Sequence, residues 1–161
     1  MRERVVQEPQ CWFVPGCSEE GMFRVASSAF PTGRLRVTCS RGEPVLLALS
    51  GELDAGTALV LVGAVAAALA GSPEPRVIVL DLGELHFLGA AGVRVLDAMT
   101  DHAAAQNARL RVVTGGNPVV ARALRLTGAA RVLDVYPDRD AALSAGDGHE
   151  FLRLTARMWN A

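Results

Sequence analysis

The chain has 161 residues, of which 50% are hydrophobic and 20% charged, with a formal net charge of -1. That size and composition fit one domain with extensions, able to bury a core without disulfides or metal. The near-zero charge gives no footing for nucleic acid or an anionic membrane surface as partner.

Cys11, Cys17 and Cys39 form an odd, scattered set with no His beside them, which argues against a disulfide scaffold and against zinc. No apolar run follows Met1-Arg-Glu-Arg4, so a signal peptide is not expected and a reducing, cytoplasmic setting is. Every basic residue is Arg, and Ala, Gly and Val abound, which points to a GC-rich bacterial gene. Residues 55–73 are uncharged, but Ala and Gly dominate them, so a buried or interface helix is expected there and no membrane insertion.

Taken in order, residues 1–32 lack sustained periodicity and are broken by Pro9, Pro15, Gly16, Gly21 and Pro31. They read as an N-terminal extension, flexible or loosely docked. Trp12-Phe13-Val14 and Met22-Phe23 are apolar enough to dock on something. The domain proper spans 33–145. Leu35–Cys39 alternates as a half-exposed strand does, Arg41-Gly-Glu-Pro44 is a turn, and Val45–Leu49 is a second strand, which predicts an antiparallel hairpin. Asp54 either caps the next helix or projects towards a site. That helix is expected from Thr57 to Ala70, ending at Gly71-Ser-Pro73. It is apolar all round, so it requires cover on more than one side: the sheet, and a neighbouring helix, a homodimer mate or a partner.

Val77–Leu82 is a short β-branched run suited to a strand buried on both faces. Gly89-Ala90-Ala91-Gly92 then opens a helix expected to reach Gln106, with Val93, Leu96, Met99 or Thr100, and Ala103 inward and Arg94, Asp97, Asp101 and Gln106 outward. Backbone N–H groups at a helix start favour anions, yet these four residues carry no polar side-chain atom. Leu110–Val113 is the next strand. Asn117-Pro118 is a helix start, with Val120, Ala123, Leu124 and Thr127 inward, Arg122 and Arg125 towards water, and Gly128 as the stop. Val132–Tyr136 is a last strand, and Asp138 caps a helix through Ala145. Residues 146–161 comprise a Gly146-Asp-Gly148 joint and an amphipathic helix carrying Phe151, Leu152, Thr155, Met158 and Trp159, either packed on its own domain or available for docking.

Nothing in this pattern makes an enzyme. His86 could meet Asp54 or Glu84, but a lone His–carboxylate pair lacks a nucleophile or metal set. Asp81 is expected to take up a nearby N–H. Gly115-Gly116 lacks the Lys and Ser/Thr of a phosphate loop. No catalytic residue, cofactor or metal is assigned. The alternation of strands and helices implies an α/β domain with a mostly parallel sheet flanked by about four helices.

Residues 35–145 resemble a STAS domain of the bacterial anti-sigma factor antagonist type. Four stretches carry the resemblance: Leu49-Ser-Gly-Glu-Leu-Asp54, Val79-Leu-Asp-Leu-Gly-Glu-Leu-His-Phe87, Gly92-Val-Arg-Val-Leu96, and Asn117-Pro118 through Gly128. In that family the loop corresponding to Gly89–Gly92 reads Asp-Ser-Ser-Gly or Asp-Ser-Thr-Gly. Its first Ser is phosphorylated by a partner that is both serine kinase and anti-sigma factor, and phosphorylation abolishes binding. Here Ala90 stands at the position of that Ser and Gly89 at that of the acidic residue.

The resemblance implies a protein–protein interaction module that contacts an anti-sigma factor of the kinase type, or an equivalent regulatory protein. The expected contact residues are Asp54, Phe87, Leu88, Gly89, Ala90, Ala91, Gly92, Val93 and Arg94. Three consequences of the altered loop stand open. The protein is permanently competent, or the loop is rewired with control in the extensions, or the domain is an accessory or scaffold subunit such as those of lipid-transport complexes. A small-ligand-sensing role ranks third among the functional readings.

Overall fold

Three strands lead the fold: β1 (Met22–Val25), β2 (Leu35–Ser40) and β3 (Val45–Leu53). The structure is a computed structural model that describes residues 22–25, 34–40, 42, 44–71 and 77–146. Beyond β3 come α1 (Ala58–Gly71), β4 (Val77–Leu88), α2 (Ala90–Ala105), β5 (Arg109–Val113), α3 (Pro118–Leu126), a 3-10 turn (Ala129–Arg131), β6 (Val135–Tyr136) and α4 (Arg139–Ser144). The six strands lie side by side in chain order. β1, β2 and β3 pair antiparallel, with Leu35 opposite Gly51 in the predicted hairpin, and β3 to β6 pair parallel. Parallel neighbours require helical crossovers of one hand, which places successive helices on one face when the strands advance in one direction. Accordingly α1, α2 and α3 share one core with the sheet: Leu61, Val65, Val93, Leu96, Val120 and Leu124 pack with Val37, Leu47, Leu49, Leu80, Leu82, Leu110 and Val112.

The reverse face is covered by α4 over Val79, Val113 and Tyr136. A six-residue helix is too short to persist without tertiary contacts, and three polar contacts hold this one. Asp138 caps it by accepting from the Ala141 N–H at 2.8 Å. Arg139 in its first turn pairs with Asp81, whose other oxygen accepts from the Gly83 N–H at 2.8 Å. At the far end Arg111, buried on β5, donates to the carbonyls of Ala142 (2.6 Å) and Gly146 (3.3 Å). A cation at the carbonyl end of a helix is electrostatically favourable. Asp134 lies 4.0 Å from the Arg111 Nε, and the guanidinium stands 5.8 Å from the centre of the Tyr136 ring. Burial raises the Asp134 carboxyl above its ordinary range despite Arg109 and Arg111 nearby. The Tyr136 phenol is pushed up to about 12, first by burial and then by the charge of Asp134.

Several boundaries differ from those expected. β4 continues to Leu88 instead of ending at Leu82, because β3 also runs on and supplies a backbone partner; irregularities opposite Ala48–Glu52 absorb the mismatch. The last strand shrinks to Val135–Tyr136, since Gly128 at φ +73° turns the chain into the 3-10 helix first. β1 forms inside the predicted extension by adding to the edge of β2. Helix α1 is buried on one side only, through Leu61, Ala64, Val65, Ala68 and Leu69. Its other side, with Leu59 81% exposed and Gly63, Ala66, Ala67 and Ala70 also open, has no cover among the described residues. Small side chains make that exposure cheap, because they present little apolar area. No described helix is long and apolar enough to cross a membrane. The predicted helix within 146–161, Trp12-Phe13-Val14, Cys11 and Cys17 lie outside the described residues.

Two glycines make opposite predictions. Gly51 has φ +104°, and a Cβ there would stand 1.9 Å from the Arg34 carbonyl oxygen, so Gly51→Ala is expected to cost roughly 3 kcal/mol in chemical denaturation. Gly63, in an exposed helical turn with nothing within 4 Å of its would-be Cβ, is expected to gain about 0.5–1 kcal/mol as Gly63→Ala. The only tyrosine of the chain permits a pH test. Tyr136 ionises near 12 when folded against 10.0 ordinarily, so the unfolded state loses its proton first. Stability is then expected to fall as pH rises above about 10 and to level off beyond about 12, with tyrosinate absorbance appearing late in the folded chain.

Candidate functional site

The ends of β3 and β4 and the starts of α1 and α2 meet at one rim of the sheet. After β3 the chain turns through Asp54, whose Oδ1 accepts from the N–H groups of Gly56 (2.8 Å) and Thr57 (3.1 Å). The buried Thr57 hydroxyl donates to the Glu52 carbonyl at 2.9 Å and accepts from the Asp54 N–H at 3.0 Å. Asp54 Oδ1 therefore closes the turn that leads into α1 and serves no N–H of the helix itself, while Oδ2 faces Arg34 at 4.0 Å. Arg34 also reaches Glu52 at 3.7 Å, and that pair is solvent-exposed, where ion pairs contribute little.

α2 is seated directly on this turn. The Gly89 N–H donates to the Leu53 carbonyl at 2.9 Å, and the Val93 N–H donates to the Gly89 carbonyl at 3.0 Å. A Cβ on Gly92 would lie 2.5 Å from the Leu53 oxygen, so only glycine lets the helix backbone approach so closely. A Cβ on Gly89 would lie 3.2 Å from the Phe87 ring and 3.7 Å from the Asp54 Cβ, which places Gly89 between those two side chains. Gly89 is extended and provides no side-chain cap, leaving the first-turn N–H groups of α2 without a side-chain acceptor.

Of the predicted contact residues, the structure brings Asp54, Phe87, Gly89, Ala90, Ala91 and Arg94 to this rim. Phe87 is 49% exposed, Ala90 and Arg94 are exposed, and Arg94 makes no ion pair among the described residues. Leu88, Gly92 and Val93 are buried and support the rim from beneath. Their place in the core follows from the tight seating of α2.

Beside the rim runs an open groove of about 570 Å³ lined by Ser50, Gly83, Glu84, Leu85, His86, Asn117 and Val119. His86 shares this groove with Glu84. Asn117 was predicted as a helix cap, and its Oδ1 accepts from the Val119 N–H at 3.0 Å. Its amide nitrogen also donates to the carbonyls of Gly83 (3.0 Å) and Leu85 (2.7 Å), tying the start of α3 to the irregular part of β4. That second role, like the anchoring by Thr57, was missed in the sequence. For Asn117 the accepting carbonyls lie more than 30 residues away; for Thr57 the Asp-x-x-Thr spacing was an available signal. Among the described residues, no group of three His, Cys, Asp or Glu side chains converges as a metal would require.

Comparison with known proteins locates the fold among its relatives. A family model described as "Mlab, STAS domain" matches residues 38–134. Rv2638, a candidate anti-anti-sigma factor of Mycobacterium tuberculosis, is 31% identical over 117 residues, covering 72% of this chain and 78% of the relative. The anti-sigma-F factor antagonist RsfA of the same species is 31% identical over 101 residues, covering 63% and 78%. Among solved structures, an anti-sigma factor antagonist from Mycobacterium paratuberculosis superposes with a TM-score of 0.60 at 30% identity, covering 68% of this chain and 92% of that one. The antagonist SpoIIAA in its unphosphorylated form gives a TM-score of 0.53 at 17% identity, a likeness of fold alone, over 66% and 92%. With a family model spanning more than half of its length, and with relatives of this closeness, the chain belongs to the STAS domain family.

Proposed function

We propose that this protein is a non-catalytic binding module that acts as an anti-sigma factor antagonist, and that it has no phosphorylation switch at residue 90. The observation that carries the reading is the start of α2. Ala90 is exposed there, next to Gly89, which lies between Asp54 and the half-exposed Phe87 ring, on a helix end with no side-chain oxygen from Gly89 to Gly92. A phosphoryl group transferred to a Ser at such a position would add a charge of about -1.5 to -2 and considerable bulk to a close-packed contact. Ala90 has no atom that can accept it.

The small, uncharged surface resembles in shape an unmodified Ser-containing loop, which is the binding-competent form in the family. Phe87 supplies an aromatic anchor of the kind that dominates interface energetics. The rim charges Asp54 and Arg94 would tune encounter and register more than affinity. The named relatives are anti-sigma factor antagonists, which favours a kinase-type anti-sigma factor as the partner over a transporter assembly.

Affinity purification of the full chain is expected to recover an anti-sigma factor with a kinase-type nucleotide fold. The purified complex should persist when Mg-ATP is added; dissolution by ATP overturns the unswitched reading, and recovery of a transporter ATPase instead supports the accessory-subunit alternative. Restoring the family pattern with Gly89→Asp and Ala90→Ser is expected to yield a singly phosphorylated product by mass spectrometry and an ATP-sensitive complex. Phe87→Ala is expected to weaken the complex by about 2 kcal/mol, roughly 30-fold, as an interface anchor would. Its thermal unfolding should barely move, because the ring is half exposed.

A further inference from the structure

We propose that the outer face of α3, with the 3-10 turn that follows it, is a second docking surface, built for an acidic amphipathic segment of a partner protein. From His102 to Leu133 the chain contains five Arg and no Asp or Glu. Two of the five lie by Asp134: Arg111 is buried against it, and Arg109 is within its electrostatic reach. The other three, Arg122, Arg125 and Arg131, are exposed and make no ion pair among the described residues. The outer face of α2 is different, setting Arg94 among Asp97 and Asp101.

Apolar groups accompany these cations. Leu126, the last residue of α3, is 70% exposed, and Val132, next to Arg131 in the chain, is 69% exposed. Val119, Arg122 and Leu126 follow at the spacing of one helix face. Single exposed apolar residues are ordinary, and Arg125 alone is accounted for by the carbonyl end of the helix. Neither explanation covers three unpaired cations and two open aliphatic side chains between residues 122 and 132. Guanidinium groups prefer carboxylates, which they bind in a planar fork, and Arg with apolar neighbours is the composition enriched at protein interfaces. Charge complementarity therefore selects an acidic occupant with apolar anchors.

A membrane fits less well. Interfacial helices bury a continuous apolar face in the lipid, whereas the apolar face of α3 is already committed to the core through Val120 and Leu124. The surface is also distinct from the rim at Gly89–Gly92. Only Val119, at the opposite end of α3 from Leu126, reaches the groove beside that rim, so the inference does not depend on the reading of the loop.

The test is a titration of the full chain, labelled with nitrogen-15, by a synthetic amphipathic helix of about 14 residues with Leu along one face and Glu along the other. Amide shifts are expected to concentrate in residues 119–133, and binding to weaken about tenfold between low and physiological-plus salt. The charge-reversed triple variant R122E/R125E/R131E should lose binding by more than about 30-fold, and the milder R122Q/R125Q/R131Q by about tenfold, as loss of charge-assisted pairs implies. Both variants should keep dispersed spectra, since all three side chains face water. Absence of shifts, shifts centred on residues 87–94, or equal binding of the same peptide with Lys for Glu would each overturn the proposal. Binding to phosphatidylglycerol-containing vesicles without binding to the peptide would overturn it in favour of a lipid surface.

Discussion

The approach of Gly92 to the Leu53 carbonyl is the contact on which the rest of this molecule turns. It brings the first turn of α2 onto the last residue of β3, so that two elements almost 40 residues apart share one edge. The Gly89 N–H donates to the same carbonyl, and Thr57 fixes the turn that carries Asp54. A side chain at residue 92 would lift α2 off the sheet and spread the rim. Leu88 and Val93 lie beneath it in the core, so the rim has a packed floor. What projects from it is therefore presented by rigid elements, which is the condition for contact geometry to be reproducible.

The two faces of the sheet are stabilised by different physics. The face under α1, α2 and α3 is an aliphatic layer, where area removed from water dominates. The face under α4 is small and mixed, with buried Arg111, half-buried Asp134, and Tyr136 among a few apolar side chains. There the arginine satisfies carbonyls at the end of a helix that could not stand alone. Replacing a buried cation of this sort by an aliphatic residue leaves those acceptors empty, whereas changes in the aliphatic layer leave cavities.

The features legible in the sequence were those encoded by near neighbours. The alternation in Leu35–Cys39 and Val45–Leu49 marked the hairpin. Asn117-Pro118 and Gly128 marked both ends of α3, and the run from Ala90 marked α2 almost to the residue. The family pattern then pointed to the rim. Features set by distant partners were not legible. β1 is a four-residue strand between Pro- and Gly-rich stretches, and it exists because β2 offers an edge. The length of β4 depends on how far β3 continues beside it. The amide of Asn117 bonds carbonyls whose identity no local pattern contains. Leu88, Gly92 and Val93 lie on the inner side of the stretch from 87 to 94, because a motif fixes position along the chain before it fixes orientation.

The helix start at Gly89–Gly92 also constrains how any contact made there can be regulated. It consists of backbone and methyl groups, with no side-chain atom that gains or loses a proton. On the unswitched reading proposed above, occupancy of such a surface is set by the ratio of free partner to dissociation constant. A threshold response then requires one component to be titrated by the other. The adjustable quantities become rates of synthesis and degradation, which respond over the lifetime of the protein and not over the turnover time of an enzyme.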